Sequence, residues 1–290
     1  MTADIVPAIS RFSIGLALGG GTSRGLAHII AVETLDELGL RPAVVAGTSI
    51  GSIMGAACAS GMPGSDMRQF IEELFGSRRE LLRRLSQRGL STIAEIWNPR
   101  TPALINLEGV LSALLPRDIP GTFEALKIPL AVVATDFYGQ GETVMTDGPL
   151  IPALAASAAI PAVFKPVRYK GRVLIDGGFV NPVPFDLLRG RADIIVGVDV
   201  SGEVMLPDGA ADTHMPSSLE ASIGAFHITL RSIVREKLKR EAPDILIRAR
   251  VGSFAAFDFY RFKEILAASE PVKDELKRGL DRRLNEIAKA

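Results

Sequence analysis

The chain has 290 residues, of which 47% are hydrophobic, so it carries enough apolar material for a substantial core. Its 33 basic and 33 acidic residues cancel, which argues against a nucleic-acid-binding protein because such proteins usually have a basic excess. Cys58 is the only cysteine, which excludes an intramolecular disulfide and any zinc site with two or more cysteine ligands. Residues 1–11 lack the apolar stretch and cleavage site of a signal peptide, so we expect a cytoplasmic protein.

The N-terminal part predicts two successive strand–helix units. An apolar run over Ser13–Leu18 indicates a buried strand, and helical spacing follows from Arg24 to Leu38, after which Gly39 is suited to a helix C-cap. Val44–Ala46 indicates a second strand and Ile50–Ala59 a second helix. This alternation predicts a parallel sheet with right-handed crossovers.

The segment 66–118 has a different character, because it lacks a strong strand signal and predicts several short helices inserted into the sheet order. It contains the only tryptophan, Trp97, and the arginines Arg78, Arg79, Arg83, Arg84 and Arg88. Further strands are predicted at Leu130–Ala134, Thr143–Met145, Arg172–Ile175, Ile194–Val198 and Ile245–Ile247, and helices at Ser218–Glu241 and Phe262–Ala290. We expect one domain over residues 1–290, with 66–118 as a helical insertion or lid and 218–290 as C-terminal elements of the same domain.

The uncharged segment Pro42–Ser65 offers an alternative, since Gly47, Gly51 and Gly55 have the four-residue spacing of a membrane helix dimer motif. The segment is rich in Gly, Ala, Ser and Thr rather than Leu and Phe, and it divides into a strand, a tight turn and a helix. We therefore expect it to be buried in a sheet protein.

A nucleophile elbow is indicated by Gly47-Thr48-Ser49-Ile50-Gly51, which matches G-x-S-x-G between a predicted strand and a predicted helix. Such a turn projects the Ser49 hydroxyl from the carboxyl edge of the sheet, and the following helix directs its free N–H groups at an oxyanion formed there. In the alternative interpretation the glycines only permit close packing, and Ser49 is a helix cap.

A glycine-rich loop, Gly19 to Gly25, also lies between a strand and a helix. It lacks the lysine of a Walker motif, and no acidic residue ends the second strand as a dinucleotide-binding fold requires. The remaining interpretation is an oxyanion hole of backbone N–H groups. Arg24 is expected to hold this loop, to bind an anionic head group of the substrate, or to form a surface salt bridge.

The base for Ser49 has two kinds of candidate. A conventional triad needs one of the three histidines, His28, His214 and His227, but nothing around them indicates a base. Asp176 follows a predicted strand and precedes two glycines, so its carboxylate could take the serine proton directly if burial raises its pKa. An ordinary Asp-Gly turn would have the same sequence.

Four blocks, in the same order, resemble the patatin-like phospholipase family. They are Leu18–His28, Gly47–Gly51, Ala156–Pro161 and Asp176–Pro182, and the likeness continues through Ala131–Asp136. The resemblance implies a three-layer α/β/α fold with a mainly parallel central sheet. It also implies a Ser49–Asp176 dyad without histidine, and an oxyanion hole made by Gly19, Gly20, Gly21 and Ile50.

From the same resemblance we expect hydrolysis of a phospholipid or other acyl-ester lipid, with no metal or organic cofactor. Peripheral membrane contact is expected from the substrate, through apolar residues between Leu90 and Leu115 beside the arginine cluster. Two alternatives remain open: an acyltransferase that uses the same dyad, and a non-catalytic lipid-binding relative.

Overall fold

An eight-stranded sheet forms the centre of the protein, and the computed structural model describes residues 12–87, 105–202, 215–287 and 289. The strands are β1 (Ile14–Leu18), β2 (Val44–Thr48), β3 (Leu130–Asp136), β4 (Gly141–Met145), β5 (Val167–Tyr169), β6 (Arg172–Asp176), β7 (Ile194–Asp199) and β8 (Ile245–Arg248). Their order is β5-β6-β3-β2-β1-β7-β8, and β4 also pairs with β3. The five strands from β3 to β8 in this order run parallel, whereas the pairings of β4, β5 and β6 are antiparallel.

The helices connect and cover these strands. They are α1 (His28–Glu37), α2 (Ile50–Ala59), α3 (Gly64–Gly76), α4 (Arg78–Gln87), α5 (Leu107–Leu114), α6 (Leu150–Ser157), α7 (Ser218–Arg240), α8 (Phe262–Ser269) and α9 (Pro271–Ile287). Short 3₁₀ turns lie at Thr22–Ala27, Phe123–Ala125, Gly177–Phe179, Phe185–Leu188 and Phe259–Arg261. Within the described ranges, no helix is both long enough and apolar enough to cross a bilayer.

The alternation of side chains along β1 shows why both faces of the sheet are covered. Leu16 and Leu18 belong to the larger apolar core, whereas Ala17 belongs to a second cluster with Phe185 and Val234 of α7. All residues of β1, β2 and β7 are buried, as is usual for parallel strands between two helical layers. The expected three-layer α/β/α fold is therefore confirmed.

Most predicted elements are found, with two errors. The helix predicted from Arg24 begins instead as the 3₁₀ turn Thr22–Ala27 and becomes α-helical only at His28. The C-terminal helix predicted as continuous is divided into α8 and α9 at Pro271, because proline lacks an N–H donor and is best tolerated at the first position of a helix. Strand β5 and helix α6 were not predicted.

The pairing register of β3 brings the ends of two other strands together. Thr48, at the end of β2, is opposite Val133, and Asp176, at the end of β6, is opposite the next residue, Ala134. Because β2 is parallel to β3 and β6 is antiparallel to it, the two strand ends approach each other along β3. Ser49, the residue after β2, thus lies beside Asp176.

Candidate active site

Ser49 occupies the sharp turn between β2 and α2. Its backbone has a φ of 55° and a ψ of −127°, a conformation that non-glycine residues rarely adopt. A Cβ at Gly51 would lie 2.1 Å from the Leu18 carbonyl oxygen, and one at Gly47 would lie 2.5 Å from the Gly51 carbonyl oxygen. The two glycines are therefore needed for close packing around the turn, and the predicted strand-to-helix elbow is confirmed.

Ser49 and Asp176 are in hydrogen-bonding contact. The Ser49 Oγ donates to Asp176 Oδ2 at 2.7 Å, and the Gly178 N–H donates to Asp176 Oδ1 at 2.8 Å. Both Ser49 and Asp176 are buried. Burial raises the pKa of the Asp176 carboxyl from 3.8 to about 7, although the two hydrogen bonds oppose the rise. Its pKa is therefore in the range that suits a general base near neutral pH.

Two hydroxyl groups that the sequence did not single out hold Ser49 and Asp176 in place. Ser157 Oγ accepts from the Ser49 N–H at 2.9 Å and donates to the Val133 carbonyl at 2.6 Å. Thr135 Oγ1 donates to the Asp176 carbonyl at 2.7 Å. Ser157 lies in the sequence block Ala156–Pro161, so its place in a motif was visible, but its hydrogen bonds depend on how α6 packs against β3.

The glycine-rich loop passes beside Ser49, but only part of it has free donors. The Gly19 N–H donates to the Val198 carbonyl at 3.0 Å, and the Gly20 N–H donates to the Pro182 carbonyl at 2.9 Å. Both amides are therefore occupied, which corrects the expectation that Gly19 and Gly20 stabilise an oxyanion. The N–H groups of Gly21 and Ile50 have no acceptor among the described residues, so these two remain candidate donors.

His28 holds the glycine-rich loop in place through a hydrogen bond to its first residue, Gly19. Its Nε2 lies 2.8 Å from the Gly19 carbonyl oxygen, and complete burial lowers its pKa to about 4. The imidazole is therefore neutral at pH 7, and Nε2 must carry the proton that is donated to Gly19. His28 is thus a structural residue of the loop and makes no hydrogen bond to Ser49 or Asp176.

Arg24 is buried and does not line the cavity next to Ser49. Its guanidinium donates to three backbone carbonyls: those of Phe254 at 2.9 Å, Ser201 at 2.7 Å and Gly252 at 3.3 Å. The expected substrate-binding role is therefore corrected, because Arg24 instead ties the glycine loop to the segments after β7 and β8.

Of the other two histidines, His214 lies outside the described residues. His227 is buried in α7, neither ring nitrogen has a hydrogen-bond partner among the described residues, and burial and nearby arginines lower its pKa to about 4. His227 therefore does not complete a triad with Ser49 and Asp176. In the described ranges, no cluster of three or more acidic, histidine or cysteine residues could hold a metal ion.

A cavity of about 370 Å³ opens next to Ser49. Half of the described residues that line it belong to the segment 66–118, mostly to α3, α4 and α5, and others come from α2. Among the described lining residues, only Thr22 and Ser49 have hydroxyl, amide or charged side chains. The serine thus lies at the border of a space suited to hydrocarbon.

The fold and the site together define a class of protein. It is an α/β protein with a serine in a strand-to-helix turn and a buried carboxyl group beside that serine. The chain belongs to the patatin-like phospholipase family, whose model matches residues 16–189.

Three known proteins show how far this likeness extends. An uncharacterized NTE family protein of Mycobacterium tuberculosis is 33% identical over 207 residues, which are 70% of this chain and 53% of that protein. This chain therefore spans about half the length of that relative. A lysophospholipase of Debaryomyces hansenii is 24% identical over 92% of this chain and 18% of its own. VipD from Legionella pneumophila shares the fold, with a TM-score of 0.50 and 16% identity over 93% of this chain and 67% of VipD.

Proposed function

We propose that this protein is a serine lipid acyl hydrolase of the phospholipase or lysophospholipase type. The observation that carries the proposal is the 2.7 Å hydrogen bond from Ser49 Oγ to Asp176 Oδ2 at the border of an apolar cavity. Membership of the patatin-like phospholipase family supports a fatty-acyl ester as substrate. Ser49 is the nucleophile, and Asp176 is its base.

In the first half of the reaction, Asp176 takes the Ser49 proton while Oγ attacks the acyl carbonyl carbon. The resulting oxyanion accepts hydrogen bonds from the Gly21 and Ile50 N–H groups, and one such donor typically contributes about 3–4 kcal/mol. The bond to the leaving alcohol then breaks, and the alcohol receives the proton from Asp176. In the second half, water attacks the acyl carbonyl and gives a proton to Asp176. The bond from the acyl carbon to Ser49 Oγ then breaks, Asp176 returns the proton to Oγ, and the fatty acid leaves.

Substitution of either member of the pair tests this mechanism. Ser49→Ala and Asp176→Asn should each lower kcat on a phospholipid or a p-nitrophenyl ester by about 10⁴-fold or more, with the fold intact by circular dichroism. In the wild type, kcat/KM should fall below about pH 7, because protonated Asp176 cannot accept the serine proton. A fluorophosphonate probe should label the wild type and not Ser49→Ala.

Two controls accompany this test. Ser269→Ala removes another buried hydroxyl, and it should leave kcat within about threefold because the Ser269 hydroxyl donates to the Ile265 carbonyl in its own helix, α8, and does not line the cavity. The double variant His214→Ala/His227→Ala should also keep most activity; loss as large as that of Asp176→Asn would instead indicate a triad. Product analysis with an added alcohol acceptor separates hydrolysis from acyl transfer.

We further propose that the protein contacts lipid surfaces with the side of the molecule at the carboxyl ends of the parallel strands, where Ser49 lies. Tyr138 follows the carboxyl end of β3 and is 78% exposed, and Tyr260, in the segment after β8, is 70% exposed. Phe137 and Phe257 are exposed beside them in sequence, and Phe257 also lines the cavity. Exposed aromatic side chains are typical of protein surfaces that enter the lipid–water interface.

This proposed lipid-contacting surface differs from the one expected from the sequence, which was the apolar stretch Leu90–Leu115 beside the arginine cluster. Much of the apolar stretch Leu90–Leu115, as well as Arg88, lies outside the described residues. In the described part of the arginine cluster, Arg83 and Arg84 both pair with Glu80, and Arg84 also lies over the Phe70 ring.

Vesicle flotation distinguishes the two locations. Tyr138→Ser/Tyr260→Ser should reduce binding to phosphatidylcholine vesicles at least threefold, because both aromatic anchors are lost. Val144→Ser is the matched control, since Val144 is an exposed apolar residue within β4 rather than at the carboxyl edge of the parallel strands. Binding that requires phosphatidylglycerol and is unchanged in the tyrosine variant would instead favour the arginine cluster.

A further inference from the structure

One face of α2 forms a continuous wall of the cavity, beginning at the nucleophile. Ile50, Ile53, Met54 and Ala57 all line it, at the three- and four-residue spacing that places side chains on the same face of a helix. At 1.5 Å of rise per residue, Ile53 lies about 6 Å and Ala57 about 12 Å from Ser49 along the helix axis. The cavity therefore extends at least two helical turns from the reacting hydroxyl.

The composition of the walls determines which part of an ester can enter. Since Thr22 and Ser49 alone among the described lining residues offer hydroxyl groups, a charged or hydroxylated head group would lose its hydration against these walls and gain few partners. A hydrocarbon chain gains about fourfold in affinity for each methylene that it buries. The acyl chain thus belongs in the cavity, and the leaving alcohol belongs outside.

We propose that α2 acts as a gauge of acyl-chain length, with Ile53 and Ala57 as its specificity-determining residues. This inference rests on the proposed function, since it places the acyl carbonyl at Ser49. An extended chain advances about 1.25 Å per carbon, so it passes Ile53 near the fifth carbon and Ala57 near the tenth. Ala57 is buried and has the smallest side chain on this wall, which keeps the path open for acyl groups longer than about ten carbons.

Large side chains at the two depths test the gauge with p-nitrophenyl esters of four to sixteen carbons. In Ala57→Phe, kcat/KM should fall at least tenfold for esters longer than about ten carbons and stay within about twofold of the wild type on the butyrate. In Ile53→Phe, the loss should begin at about six carbons. Ile228→Phe is the control, because it makes the same substitution at an exposed position of α7 that does not line the cavity, and it should leave every length within about twofold.

A second substrate series shows whether the length of the acyl chain or the length of the alcohol determines the loss of activity. Butyrate esters of progressively longer alcohols should give the same ratio of variant to wild-type rates at every length, because the alcohol remains outside the cavity. A loss that follows alcohol length, or a loss equal at all acyl lengths in a folded Ala57→Phe variant, would overturn the gauge. If Ala57→Phe does not fold, Ala57→Leu takes its place.

A binding measurement separates this inference from catalysis. In a Ser49→Ala background, displacement of a fluorescent fatty acid by unlabelled acids should show affinity that rises with length, and Ala57→Phe should abolish the rise beyond about ten carbons. If the wild type fails to cleave even the butyrate and resists the fluorophosphonate probe, the proposed hydrolase is wrong. If it cleaves butyrate but the affinity profiles of the two proteins coincide, only the gauge is wrong.

Discussion

Asp176 is a carboxyl group whose charged form is disfavoured by its surroundings. Its side chain is fully buried, and its polar contacts are one backbone N–H and the Ser49 hydroxyl, which do not offset the lost hydration. The pKa of about 7 makes the group a usable base, but it also means that ionised Asp176 weakens the fold. Catalytic competence and stability are therefore opposed at this residue.

Asp176→Asn should consequently stabilise the protein at neutral and higher pH. Between the ordinary pKa of 3.8 and the folded value of about 7, the folded protein retains a proton that the unfolded chain has released. The wild type's free energy of unfolding therefore falls as pH rises through this window, by at most about 4 kcal/mol, and then stays level. Asp176→Asn lacks this fall. The difference in free energy of unfolding between the variant and the wild type should therefore be near zero at pH 4 and largest above pH 7.

Urea unfolding at pH 4, 6 and 8 measures this difference. Ser49→Ala is the matched control, because it also removes the proposed activity but keeps the Asp176 carboxyl, and it should retain the wild-type fall in stability. Equal pH dependence in wild type and Asp176→Asn would show that the carboxyl is not held in a desolvated state.

At the scale of elements, the packing of the glycine loop against the start of α2 sets the geometry of the site. Gly25 lies in the 3₁₀ turn before α1, where a Cβ would come within 2.2 Å of Ile50 Cγ2. Ile50 begins α2, and its N–H has no acceptor among the described residues. Two separate segments thus meet with no room for a methyl group, and the proposed oxyanion donor lies at their junction.

Gly25→Ala should therefore displace the start of α2. We expect a loss of about 1–3 kcal/mol in the free energy of unfolding and a fall of at least tenfold in kcat, because the Ile50 N–H moves from its place. The double variant Gly25→Ala/Ile50→Ala removes the two closest contacts and leaves one of 2.9 Å to the Ile50 Cβ, so it should recover part of both losses. Gly224→Ala, in α7 with open space around it, is the control and should stabilise by about 0.5–1 kcal/mol without changing kcat.

At the scale of the whole molecule, sequence was sufficient for the layers of the fold and for singling out Ser49 and Asp176 as candidates. The run of apolar residues in β1 and the glycines around Ser49 each have a local physical cause, so they could be interpreted without coordinates. The contact between Ser49 and Asp176 could not be derived in this way, because it depends on β6 pairing antiparallel to β3 in one particular register. The resemblance to a family supplied that contact as an expectation.

The wrong predictions for Gly19, Gly20 and Arg24 also arise because these residues make long-range contacts. Bare glycines suggest free amides, but Gly19 and Gly20 donate to carbonyls of segments more than a hundred residues away in the chain. An arginine next to such a loop suggests an anion ligand, but Arg24 meets carbonyls that only the folded chain brings together. The division at Pro271 was a local signal, and it should have ended the predicted helix.

The insertion between β2 and β3 has a consequence for how this protein can diversify. Ser49 and Asp176 are attached to the ends of strands, whereas much of the hydrocarbon-facing wall belongs to α3, α4 and α5, which form one uninterrupted stretch of the chain. Recombination or loop grafting could replace that stretch as a unit and leave Ser49, Asp176 and the cavity face of α2 in register. Most of the remaining cavity wall would then change in one genetic step, while the proposed reacting groups stay in place.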